Sequence, residues 1–438
     1  MALENPLFEE LMKDFDSRLT HSGIDGERVA SRLYELSHIG YTQIGGVKRP
    51  GFSDEEKKAK SLVKKWMVEA GLDVTEDGAG NIRGRLAGKN LEAKAIASGS
   101  HVDSVPNGGN FDGPLGVLSA LEIAEAWKAT NYVPEKPYEV IVFSDEEGSR
   151  FNSGLSGSRA MIGAIDDKEI EGLRDYNGES LEQVLTHYGS SLQQFKEAKR
   201  DIEELELFVE VHIEQGKKLE KADQPVGIVS GIAGPAWLEV EFIGEAGHAG
   251  NTPMIGRRDP LVAAADFIQR IPEFPGKISE TAVATVGKME VLPNGINVIP
   301  EKVVLHVDIR DIYEETRDAL LNRIIEEAED IAKNRDIQLA IKQNTKIKPV
   351  PIEQELQAQL ADSLKEFSIE PAYIPSGAGH DTMILGRHIP VAMLFVRSKD
   401  GISHNPKEWS SLNDCIYGIH VLKNFIEKKM GETITNSN

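Results

Sequence analysis

A single cysteine, Cys415, occurs in the 438 residues, so an internal disulfide is excluded and a reducing compartment fits. Basic residues are in short supply. The 49 Lys and Arg stand against 71 Asp and Glu, a net charge of -22. That argues against nucleic acid or an anionic membrane as the main partner, because both need a basic footprint. It leaves room for an anionic small molecule, since an arginine or a bound cation can reverse the field inside a cleft. Long apolar runs are also lacking. The stretch PVAMLFV near 390–396 has the length of a core strand, well short of the ~20 residues a membrane span needs. The opening MALENPLFEELMKDF is acidic and amphipathic, with neither the basic nor the apolar region of a secretion signal. Low-complexity segments, internal repeats and long linkers are missing too. A cytoplasmic enzyme is the expectation.

The length calls for two domains, and the 40% hydrophobic and 27% charged shares are those of globular proteins. Ser53 and Glu56 form a capping-box signature, after which Leu62, Val63, Trp66, Met67 and Ala70 recur at helical spacing until Gly71. Three apolar strands each run into polar residues: 95–97 into SGSHVDS, YEVIVF (138–143) into SDEEGSRF, and LFVEVHI (207–213) into EQG. A helix over 114–129 starts just after FDGP, with Pro114 near its first position. Strands that deliver polar residues at their ends and alternate with helices predict an α/β sheet with a cleft at the strand termini. The stretch 230–344 has another rhythm: a strand in WLEVEFIG, a helix capped by Asp259 and Pro260, strands in TAVATVGKMEV and KVVLHVDIR, a helix over 314–335, and a strand in IQLAIKQ. That β-α-β-β-α-β order is the split pattern of a ferredoxin-like domain. The expectation is a mixed-sheet catalytic domain, 1–229 and 345–438, with an inserted lid or dimerisation domain at 230–344. Helices around 353–367 and 411–428 belong to the returning part.

A histidine alone says little, because most are surface or satisfied structural residues. The neighbours change the weighing. His101, Asp103 and Asp112 lie in GSHVDSVPNGGNFDGPLG, whose glycines otherwise serve only tight turns. The functional alternative makes His101 and Asp112 metal ligands, with Asp103 holding the imidazole. Asp145, Glu146 and Glu147 are three adjacent carboxylates that repel one another unless cations or hydrogen bonds compensate; a solvated acidic turn is the plain alternative. His212 ends an apolar strand beside Glu214 and Gln215, and His404 sits in the polar turn DGISHNP. Imidazole and carboxylate without thiolate suit Zn²⁺, Mn²⁺, Co²⁺ or Ni²⁺ and do not choose among them.

The ordered set GSHVDSV, NGGNFDGPLGV, SDEEGSRF, VEVHIEQG, GHAGNTPM, GINVIP, DIRD, SGAGHD and GISHNP resembles the M20 metallopeptidase superfamily, over about 28–428. Within it, HIEQG with DEEG is most similar to the hydantoinase/carbamoylase branch, which holds N-carbamoyl-L-amino-acid hydrolases, allantoate amidohydrolases and β-ureidopropionases. The resemblance implies two divalent metal ions. Asp112 would bridge both, with His101 and His212 on one and Glu147 and His404 on the other. Glu146 would be the general base, taking a proton from water and returning it to the leaving nitrogen. His248 would supply a donor to the tetrahedral oxyanion from across a homodimer formed through the lid. Asn297 and Arg310 would bind a substrate carboxylate, and Gln215 the ureido group. Closure of the lid would bring the inserted domain's residues onto the substrate. The loop 376–381 could offer backbone N–H groups to the carboxylate.

The reaction so implied is hydrolysis of an N-carbamoyl-L-amino acid to amino acid, CO₂ and ammonia. GGVKR, GINVIP and FVRSKDG favour that substrate, whereas NGGNFDG, EEGSRF, SGAGHD and GISHNP are as similar to allantoate amidohydrolases. Allantoate stands second and N-carbamoyl-β-alanine third; an aminoacylase or dipeptidase would keep the same metals. A non-catalytic binding protein is a different class, disfavoured because each ligand position and the base are filled by competent residues.

Overall fold

A computed structural model of the chain describes residues 5–431, so the first four and last seven positions of the expected catalytic domain lie outside the described residues. The chain divides into two compact units. The first takes the residues up to Val229, Ile352–Ile374 and those from His380 on; the second takes Ser230–Pro351 and Pro375–Gly379.

The first unit is built on a large mixed sheet, ordered Asp73–Glu76, Ile82–Leu86, Tyr138–Phe143, Ala95–His101, Leu205–Ile213, Val391–Val396, Val226–Ile232. The four central strands are parallel and the flanking pairs antiparallel. Tyr138–Phe143 and Val391–Val396 are buried at every residue, as expected of parallel strands covered by helices on both faces. Register pairs His101 with Phe143 and His212 with Phe395, so the C-terminal ends of the parallel strands are level. Helices Pro114–Thr130 and Leu412–Gly431 pack on these strands and on each other. The first is apolar nearly all round, from Leu115 to Trp127, and approaches the sheet closely at Gly116. A Cβ there would lie 2.4 Å from Val211 O and 2.6 Å from Ser100 Cβ, so only glycine allows the contact.

The second unit is a four-stranded antiparallel sheet in the order Gln338–Lys346, Gly234–Ile243, Lys302–Asp311, Val283–Leu292. Helices Pro260–Arg270 and Glu314–Asn334 bury Ala263, Phe267, Leu320, Ile324 and Ile331 against Leu238, Val240, Phe242, Leu305 and Val307. This is the ferredoxin-like order read from the sequence. Alternation in Lys302–Asp311 buries Leu305, Val307 and Ile309 and leaves His306, Asp308 and Arg310 half-buried. The unit ends later than residue 344, because Ile347 N–H donates to Pro235 O and Val350–Pro351 pairs with Gly231–Ile232.

At Ser53 the side chain accepts from Glu56 N–H at 3.1 Å, as the capping signature predicts. The reciprocal half differs. Glu56 accepts from Phe52 N–H at 2.6 Å and pairs with the buried Lys60, since burial of its carboxylate demands a cation. Among the described residues, no helix is long and apolar enough to cross a membrane.

Candidate metal centre

Two groups of candidate metal ligands share Asp112. His101, Asp112 and His212 form one and Asp112, Glu147 and His404 the other, with the ligand atoms of each set within 4.8 Å of one another. Strand ends position most of them. His101 closes Ala95–His101, His212 lies one residue from the end of Leu205–Ile213, and Glu147 follows Tyr138–Phe143. Asp112 precedes helix Pro114–Thr130, and Gly113 between them has φ +82°; a Cβ there would meet the His101 ring at 2.5 Å. Asp145, Gln215 and His404 also take positive φ of 51°, 55° and 54°, strain that persists only where surroundings over-determine the backbone.

The tautomers follow from the hydrogen bonds. His101 Nδ1 lies 3.2 Å from Asp103 O and His212 Nδ1 3.0 Å from Ile213 O. A carbonyl only accepts, so both Nδ1 atoms carry a proton and a neutral ring leaves Nε2 bare. Those Nε2 atoms face Asp112 Oδ1 at 3.6 and 3.2 Å, and His404 Nε2 faces Asp112 Oδ2 and Glu147 Oε2 at 3.4 Å each. Lone pair would meet lone pair unless a proton or a cation lies between. His101 Nε2 is buried with no hydrogen-bond partner. The donor set and this orphaned nitrogen fit a divalent cation in each group.

The electrostatics agree. Burial opposes charge on His101, but Glu146, Asp103 and Asp112 outweigh it and hold the imidazole well above its usual range. For His212 burial is likewise outweighed by Asp112. The hydrogen bond to Asp112 leads in raising His404 to about 9. Burial pushes Asp112 up, yet the three imidazoles hold it well below the usual carboxylate range. Burial raises Glu146 well above that range, with Glu147, Asp381 and Asp103 adding to it against His101. Burial and Asp112 raise Glu147 to about 7. Carboxylates that resist ionising and imidazoles that resist losing a proton mark a pocket short of positive charge.

Asp103 serves three partners. Its carbonyl takes the His101 ring N–H, while its carboxylate accepts from Glu146 N–H and Glu147 N–H at 3.1 and 3.2 Å and lies 3.4 Å from His101 Nδ1. Glu146 Oε2 lies 3.7 Å from His101 Nε2. Gln215 Nε2 donates to Asp112 Oδ2 at 2.8 Å. His248, Asn297 and Arg310 belong to the second unit. His248 Nδ1 accepts from Gly250 and Asn251 N–H at 3.1 and 3.2 Å, which leaves its proton on Nε2 when neutral. Asn297 O accepts from Ala249 N–H at 3.0 Å. Asp308 grips Arg310 Nε and Nη2 at 2.7 and 2.9 Å, and Arg310 Nη1 donates to Gly377 O at 2.6 Å, leaving two of five N–H donors for a ligand.

The sequence reading missed Glu408, Ser403 and His380. Glu408 is buried, and burial with Asp112's charge raises it to about 7. The His380 ring packs against that of His212, tilted by 58° with centroids 4.5 Å apart. The one signal for Glu408 was its place just beyond GISHNP, in a turn that reads as solvated.

The model of Peptidase family M20/M25/M40 matches residues 97–428. The chain belongs to this family. It is 45% identical over 399 residues to an N-carbamoyl-L-amino acid amidohydrolase of Geobacillus stearothermophilus, covering 91% of this chain and 97% of that one. It is 35% identical over 393 residues to an allantoate amidohydrolase of Bacillus subtilis (strain 168), covering 90% and 95%. The solved amidase of the hydantoinase/carbamoylase family from Burkholderia multivorans superposes with a TM-score of 0.87 at 32% identity, covering 94% of this chain and 99% of that one. As a member of the M20/M25/M40 family the chain is a hydrolase, and it carries residue groups able to hold metal ions.

Proposed function

We propose that this hydrolase cleaves the ureido C–N bond of N-carbamoyl-L-amino acids, giving ammonia, CO₂ and the free amino acid, with two divalent ions per chain. The observation that carries the reading is the pair of residue groups sharing Asp112, each with imidazole Nε2 atoms turned on carboxylate oxygens and, for His101 and His212, with those nitrogens bare in the neutral ring. His101, Asp112 and His212 would hold one ion, and Asp112, Glu147 and His404 the other; Zn²⁺, Mn²⁺, Co²⁺ and Ni²⁺ all suit these donors. Ions bound there acidify water and polarise the ureido carbonyl.

The chain's own groups do the rest. Glu146, as carboxylate, takes the proton of the attacking water, which its burial helps it to hold, and delivers it to the departing nitrogen. Asp103 holds the main chain of Glu146 and Glu147, which keeps base and ligand in register. His248, with Nδ1 engaged by two N–H groups, offers Nε2–H to the developing oxyanion. Arg310, steadied by Asp308, and Asn297 receive the substrate carboxylate, and Gln215 the ureido group. A homodimer through the second unit is part of this reading, with His248 acting on the partner's substrate. One water added to the ureido group expels ammonia, and the resulting carbamate loses CO₂ to leave the amine. The single, buried Cys415 suits a cytoplasmic setting.

Allantoate is the second reading, supported by the B. subtilis relative's name. Ammonia release from N-carbamoyl-L-methionine, its D-form, allantoate, N-carbamoyl-β-alanine and N-acetyl-L-methionine separates these. Release from the L-carbamoyl substrate above all others is expected. Release from allantoate alone moves the assignment, and acetate from the N-acetyl substrate with no ammonia from any of the ureido substrates overturns ureido hydrolysis.

A further inference from the structure

Glu408 is 4% exposed and lies on neither ligand set. Its Oε1 accepts from Phe111 N–H and Asp112 N–H at 2.9 and 3.1 Å. Its Oε2 lies 3.0 Å from Ser403 Oγ, and that hydroxyl is also 2.8 Å from Asp112 Oδ2. Ser403 immediately precedes His404. One buried carboxylate therefore joins the loop that carries Asp112 to the loop that carries His404. Space is cleared for it at Gly109, where a Cβ would lie 2.1 Å from Glu408 Oε1. The fully buried Arg49, whose side-chain N–H groups donate to the carbonyls of Leu36, Ile39 and Val102, places a positive charge in the field of both Asp103 and Glu408.

We propose that Glu408 is the positioning residue of the second ligand set: it fixes Asp112 and His404 relative to each other and serves as the acceptor of the Ser403 hydroxyl. The hydroxyl has one proton for two carboxylates. Once cations draw on the Asp112 oxygens, Ser403 turns that proton to Glu408, and the carboxylate then holds the loop through three hydrogen bonds. An amide in its place keeps an oxygen for the two backbone N–H groups but presents a donor to Ser403. This inference rests on the reading that Asp112, Glu147 and His404 hold an ion.

The test is a Mn²⁺ titration of chelator-treated protein, with free ion read by electron paramagnetic resonance, for wild type, Glu408→Ala and Glu408→Gln. Far-UV circular dichroism and melting temperature are measured alongside. Wild type binds two ions. Glu408→Ala weakens the second ion about 10- to 100-fold, and more than the first. Glu408→Gln keeps the melting temperature near wild type, weakens the second ion by a smaller factor, and carries the comparison should the alanine variant not fold. Two ions bound with wild-type affinities in the variants overturn the proposal. Equal weakening of both ions in step with the melting temperature also overturns it, because that marks a purely structural role. If wild type itself binds no Mn²⁺, the metal reading fails and takes this proposal with it.

Discussion

Gln215 Nε2 donates to Asp112 Oδ2 over 2.8 Å, the same oxygen that His404 Nε2 faces at 3.4 Å. A side chain that the family resemblance assigns to the ureido group is thus also a neighbour of the shared ligand. Gln215→Ala removes this donor, and with it the one to Ser403 Oγ at 3.1 Å, but none of the five candidate metal ligands. KM is expected to rise at least tenfold, with metal content unchanged. Loss of an ion with KM unaltered would move Gln215 from substrate binding to support of the metal centre.

Glu146→Gln keeps size and hydrogen bonding but removes the base. The expected outcome is a fall in kcat of about 10²- to 10⁴-fold, with both ions and substrate binding retained. Steady-state kinetics, metal analysis and calorimetric substrate titration check it together. Activity within a few-fold of wild type would remove Glu146 from the mechanism.

Much of this arrangement is legible in the sequence, and its limits are physical. Apolar strands that break into polar residues after 97, 143 and 213 announce a cleft at strand ends, because parallel strands present their C-termini on one edge. The alternation of Leu305, Val307 and Ile309 orients Arg310 without any structure. What the sequence withholds is register and pairing across long separations. Glu408 reaches Phe111 across 297 positions, and a glutamate in a polar turn has no local pattern that distinguishes it from a solvated one. The strands Asp73–Glu76 and Val226–Ile232 are likewise not legible: the first is short and polar, and the second is rich in Gly and lies where the unit boundary falls. The capping signature at Ser53 is half realised, since a buried lysine competes for Glu56.

Gly113 sits between a ligand and a helix, with a left-handed φ and the His101 ring 2.5 Å from where a Cβ would be. Gly113→Ala incurs both strain and a clash, so a loss of about 1 kcal/mol or more is expected, with weaker metal binding. Chemical denaturation and metal titration measure the two effects. An unchanged melting curve would show that the loop relaxes freely.

Away from the centre, His420 is buried against His21, whose ring stacks at 4.1 Å, and its Nε2–H donates to Leu19 O at 2.8 Å. Burial lowers it to about 4, with His21 and Lys423 contributing against the Leu19 hydrogen bond. Above pH 6.5 the ring is neutral folded or unfolded and contributes nothing to the pH dependence. Between 6.5 and 4 only the unfolded chain takes up the proton, so stability falls with pH through that window, by about 2 kcal/mol at pH 5. His420→Gln keeps the donor and should flatten this acid limb in urea denaturation at pH 7.5 and 5. An identical slope in the variant would assign the acid sensitivity elsewhere.

The most direct test of the two-metal assignment is ammonia release from N-carbamoyl-L-methionine by chelator-stripped protein as Mn²⁺ is added back. The account predicts no release without metal and a rate that rises to a plateau at two ions per chain. Full release from the stripped protein, or a plateau at one ion, would contradict it.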